Sequence, residues 1–109
     1  MTTLKLYYFS HRLTDDNPDV QAANLRRARD RLEELNPSYL ERGIHLWAPW
    51  IDLAEAGVNE DEAWRFINAA LMVSAGIVAD LSDGGQLSDG MLDEVKTGEF
   101  WGKPVEVLK

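Results

Sequence analysis

Cysteine is absent from the 109 residues. That removes disulfides, thiolate metal sites and cysteine nucleophiles together, and it fits a reducing compartment. Histidine is nearly absent too. His11 and His45 stand far apart, and no HxxxH or HExxH spacing occurs, so no metal site is expected. GxGxxG and GxxxxGK[ST] are both missing; neither a dinucleotide fingerprint nor a P-loop is present, and no cofactor is expected. Ser10, Ser82 and Ser88 lack the GxSxG context of a nucleophile elbow. No apolar run approaches the roughly 18 residues of a membrane span. Basic residues are few, 11 against 19 acids, for a net charge of −8. Such a surface repels both a phosphate backbone and an anionic membrane, so neither is an expected partner. The first ten residues, with one lysine and a short apolar run, do not have the layout of a secretory leader. The expectation is a cytoplasmic protein.

What is present is a globular composition, 45% hydrophobic and 28% charged. A chain of this length is expected to form one domain around one core. Its segments alternate. LKLYYF (4–9) is short, apolar and aromatic and reads as a strand. Asp16 or Asn17 can cap a helix with Pro18 in its first turn. Leu25, Ala28, Leu32 and Leu35 then form one apolar stripe. Arg26–Asp30 and Arg29–Glu33 are spaced for i,i+4 pairing on the wet face. The helix is expected to end in NPSYLERG (36–43).

GIHLWAP (43–49) reads as a second strand stopped by Pro49, and WIDLAEAGV as a loop or short helix. Asn59 caps EDEAWRFINAALMV, whose first turn holds the acids a helix N-terminus favours. GIVADL (76–81) is a continuous apolar run, as a strand buried on both faces requires. SDGGQL is a loop in which Gly84 and Gly85 permit tight turning. Ser88 caps a helix over MLDEVKTGEFW, Gly102 ends it, and PVEVL (104–108) is the last strand.

The order β-α-β-α-β-α-β demands crossovers and a mostly parallel sheet, of four to five strands, flanked by helices: an α/β domain of Rossmann-like class. Ligands of such sheets lie beyond the carboxyl ends of the strands. Here those ends are Phe9-Ser10-His11, Ala48-Pro49-Trp50 and the stretch from Asp80 to Ser88.

The densest chemistry on that rim is SDGMLDEV (88–95). Gly90 and Glu94 are four apart and stack on one helix face. The missing side chain at Gly90 opens a hollow over free helix N–H groups. Glu94 would stand at its floor, placed as nucleophile or general base; the other reading is a capped helix start with a solvated glutamate. Asp80 can orient a ligand hydroxyl or cap a loop. Trp50 can wall a base or pack in the core, the more common role of tryptophan.

Taken together, S88-D89-G90-M91-L92-D93-E94 and, eight residues after the glutamate, G102-K103-P104-V105 resemble the nucleoside 2-deoxyribosyltransferase superfamily, and most of all its short phage and bacterial branch. Tyr7 in the first strand, N24-L25-R26-R27-A28, Pro49 and IVADL extend the resemblance over nearly the whole chain. It implies a flavodoxin-like fold and a homodimer or higher homo-oligomer whose subunits help complete each other's sites. It further implies chemistry at the N-glycosidic bond of a nucleoside or nucleotide. Glu94 would attack C1′, Tyr7 would orient Glu94, and Ser88 and Gly90 would hold the 5′ end of the sugar. Ser10 and His11 stand where the family often has a small-residue turn, beside the substrate. Asn68 is the polar residue nearest the position of the acid that helps protonate the leaving base. The alternative function is a non-catalytic nucleoside- or nucleotide-binding module of the same fold.

Overall fold

A computed structural model describes residues 3–83 and 85–109 of the chain. The turn expected at Gly84 therefore lies outside the described residues. The elements run β1 (Lys5–Ser10), α1 (Pro18–Glu41), β2 (Ile44–Trp47), α2 (Pro49–Glu55), α3 (Glu60–Val73), β3 (Gly76–Asp80), α4 (Asp89–Phe100) and β4 (Val105–Leu108).

The expected caps form. The side chain of Asn17 accepts from Asp19 N–H, that of Asn59 from Glu62 N–H and that of Ser88 from Met91 N–H. Each satisfies one of the donors a helix start leaves free. At the far end of α4, Gly102 takes φ of +73°. Its N–H bonds the Glu99 carbonyl, and Lys103 N–H bonds that of Gly98. This is a Schellman closure, and it turns the chain directly into β4.

The first helix ends within NPSYLERG, as expected, running through Pro37 and stopping at Glu41. Non-local contacts hold its last turns. The Asn36 amide bonds both the N–H and the C=O of Leu46 in β2, at 2.9 and 3.0 Å, and Tyr39 is buried. Arg29 departs from the expected i,i+4 pairing with Glu33. It reaches across to α2, with Glu55 at 2.6 Å and Asp52 at 3.5 Å.

All four strands are parallel, in the order β2-β1-β3-β4. This is the flavodoxin-like order, without a fifth strand among the described residues. β1 sits opposite β3 with Tyr7 beside Gly76 and Ser10 beside Ala79. Helix α1 packs on β2, whereas α3 and α4 pack on β1, β3, β4 and each other. Right-handed crossovers put α1 on one face and α3 and α4 on the other. A Cβ on Gly98 of α4 would run into the Ile77 side chain, so that helix lies tight against β3. The chain leaves β1 toward β2 and leaves β3 toward β4. The crevice beyond the carboxyl ends of β1 and β3 is therefore the switch point, where doubly wound sheets bind ligands.

Candidate active site

Strand alternation sends Tyr8 and Ser10 toward the α4 face of the sheet and Tyr7 and Phe9 toward the other. On the α4 face they meet Glu94. The Tyr8 hydroxyl donates to one carboxylate oxygen of Glu94, and the Ser10 hydroxyl to the other at 3.1 Å. Glu94 is only 8% exposed, and both donors are fully buried. Among the described residues no lysine, arginine or histidine pairs with it. Burial raises its pKa from 4.5 to about 7; the Tyr8 and Ser10 hydrogen bonds pull the other way, and the neighbouring Asp93 charge adds slightly to the rise. The same burial, with Glu94 beside it, holds the Tyr8 phenol well above its ordinary value, so Tyr8 stays a donor.

Removing that donor gives a direct test. In Tyr8→Phe, Glu94 loses a bond that favours its charged form, and its pKa should climb further above 7. Any rate that needs the carboxylate should then shift its acidic limb to higher pH. The fold should lose about 1.5–3 kcal/mol, as for a hydrogen bond to a charged group. A pH–rate profile and a melt measure the two effects separately.

Glu94 lines a cavity of about 660 Å³, within the range of small-molecule sites. One wall is the start of α4, from Ser88 to Gly90 with Met91 and Asp93. The opposite wall comes from α2, its exit and α3, with Leu53, Val58, Glu60, Asp61, Trp64 and Ile67. Trp50, His11, Leu13 and Gln21 close the rim. A Cβ built on Gly90 would meet nothing within 4 Å, so the hollow expected there exists.

Of the residues expected at the site, Glu94, Ser88, Gly90, Trp50 and His11 line this cavity. Trp50 is buried and spends its indole N–H on the Phe9 carbonyl at 2.7 Å, so it presents only its ring. His11 places Nδ1 2.8 Å from the Arg12 carbonyl. A carbonyl only accepts, so that nitrogen carries the proton. Ser10 is corrected in role: it is sealed behind Glu94 and holds it rather than reaching substrate.

Three placements are overturned. Tyr7 does not orient Glu94; it lies on the other sheet face, its ring against Gly76, and Tyr8 takes the role. Asp80 does not face the cavity. It is 2% exposed on the α1 side, where Oδ2 pairs with Arg31 at 3.1 Å and lies 4.0 Å from His11, and Oδ1 accepts from Ser82 N–H. Asn68 is absent from the cavity wall. The residues that reading the sequence missed are Tyr8, Asp61, Asp93 and Trp64. The YY doublet was the only signal for Tyr8.

Among the described residues no cluster of three or more histidines and acids could hold a metal, and no helix is long and apolar enough to cross a membrane. Compared with family models, curated proteins and solved structures, the chain matches none.

Proposed function

We propose that the protein breaks or transfers at the N-glycosidic bond of a nucleoside-like substrate, with Glu94 as nucleophile. One observation carries this reading: a carboxylate buried at the floor of an open cavity at the switch point of the sheet, with no cationic side chain paired to it among the described residues. Burying a charge without a partner is costly, and a fold retains such a group where chemistry uses it. The hydroxyls of Tyr8 and Ser10 fix its direction. In the first step a Glu94 oxygen attacks C1′ and the bond to the base breaks through an oxocarbenium-like transition state. In the second, water or another base attacks C1′ and releases the carboxylate.

Incubation with a panel of nucleosides and deoxynucleosides, with and without acceptor base, tests the reading by chromatography of free base. Release that vanishes in Glu94→Ala supports it; equal release in that variant refutes it. Gly90 gives a second test, since it separates site from fold. Gly90→Leu should melt no lower than wild type, because leucine is the better helix former by up to about 1 kcal/mol and the space is open. The same side chain fills the hollow and should lower kcat/KM at least about tenfold.

The absence of Asn68 from the wall favours a second reading, a pocket that binds a nucleoside without turnover. It predicts a melt raised by a nucleoside in wild type and Glu94→Gln alike, with no base released by either.

A further inference from the structure

The cavity has an unbalanced electrostatic lining. Glu60, Asp61, Asp89, Asp93 and Glu94 all contribute to its walls, and no lysine or arginine does. None of the five makes an ion pair with a described residue. Two helix N-termini, those of α3 and α4, also face the space, each worth about +0.5 of a charge. The first-turn acids Glu60, Asp61 and Asp89 already complement them. A phosphate entering here would meet carboxylates on both sides and no basic side chain among the described residues. A cation would meet those carboxylates and the rings of Trp50 and Trp64, surfaces that attract organic cations.

A second observation concerns protons. An uncharged purine such as adenine leaves far more readily once protonated, and a carboxylic acid kept neutral by burial is one donor suited to that. Among the described residues the only buried carboxyl on this wall is Glu94, and it is occupied as nucleophile. His11 commits its Nδ1 proton to a backbone carbonyl, and its Nε2 lies toward Asp80.

We propose that the site takes a nucleoside whose base is already cationic at the glycosidic ring, such as an N-ribosylpyridinium or an N-alkylated purine nucleoside, and disfavours 5′-phosphorylated substrates. The inference rests on the reading of Glu94 as nucleophile. As Glu94 bonds to C1′, the C1′–N electron pair moves onto the ring nitrogen, cancels its positive charge, and a neutral base departs without receiving a proton. Water then attacks C1′, the bond to the Glu94 oxygen breaks, and the water proton passes to solvent. The acidic walls hold the cation in the ground state, and the nucleophile provides the driving force.

The test compares three substrates, each corrected for its spontaneous rate: an N-ribosylpyridinium salt, the same compound as its 5′-phosphate, and adenosine. The expected kcat/KM for the pyridinium riboside exceeds each of the others by tenfold or more. In Asp61→Asn/Asp93→Asn the ratio of pyridinium riboside to adenosine should fall at least fivefold. If adenosine or the 5′-phosphate is cleaved as well as the pyridinium riboside, in a Glu94-dependent way, the charge preference is wrong and the nucleophile stands. An unchanged ratio in the double variant also overturns it. If none of the three is cleaved faster than by Glu94→Gln, both fail.

Discussion

Replacing Glu94 with glutamine is expected to abolish activity and to raise stability in the same molecule. The amide keeps the size of the side chain and can still accept from Tyr8, but it cannot form a glycosyl ester. Under the proposed mechanism, loss of the nucleophile should cost at least about 10³-fold in kcat, or some 4 kcal/mol of barrier. The stability effect follows from the pKa of Glu94, raised by burial from 4.5 to about 7. The folded protein therefore holds this proton more tightly than the unfolded chain. The stability this contributes is complete below pH 4.5 and is lost as pH rises through 7, at most about 3 kcal/mol. Glutamine has no charge to desolvate. The gap in melting temperature between Glu94→Gln and wild type should thus open between pH 4.5 and 7 and level off above it. For a domain of this size it should reach roughly 10 °C. Comparing the two proteins at each pH cancels the titration of every other group. A gap that narrows as pH rises would mean that Glu94 is stabilised as a carboxylate and not held for chemistry. Stability given up at a reactive group is a common cost of function.

The largest loss of stability is expected behind the site, at Arg31. Its guanidinium is the cation for Asp80, whose side chain has no exposed surface. Arg31→Met keeps the apolar stem but leaves the carboxylate buried and uncompensated, which should cost about 3 kcal/mol. Arg29 forms a shorter ion pair, 2.6 Å to Glu55, yet both partners are more than 40% exposed. Water screens that pair, and Arg29→Met should cost no more than about 1 kcal/mol. Burial, not distance, decides the ranking. Adding Asp80→Asn to Arg31→Met should recover most of the loss, because the uncompensated charge is gone. Urea denaturation of the four proteins would measure this, and equal costs at Arg29 and Arg31 would refute it.

The strands, the helices and their caps could be read from local patterns, because Asn17, Asn59 and Ser88 act on neighbours within three residues. Parallel crossover topology then pointed to the rim where the cavity lies. Glu94 and the hollow at Gly90 also followed from helix periodicity. Tyr8 did not. Two adjacent tyrosines point to opposite faces, and a shift of one residue exchanges them. Local sequence contains no information on which face α4 will cover. Asp80 illustrates a different gap. Its alternation with Gly76 and Val78 turns it toward α1, and its partner Arg31 lies 49 residues away. The sequence ended α1 in the right stretch, but what holds its last turn past Pro37, Asn36 meeting Leu46 of β2, has no local signal.

The claim at the centre of this account is a covalent bond between Glu94 and C1′. The direct measurement is the intact mass of the protein quenched in acid during incubation with nucleosides and with an N-ribosylpyridinium salt, followed by fragmentation of the peptide spanning residues 89–96. The predicted result is a single added glycosyl group, located on Glu94 and absent from Glu94→Gln. Base released at an undiminished rate by Glu94→Gln, or a glycosyl group mapped to any other side chain, would contradict it.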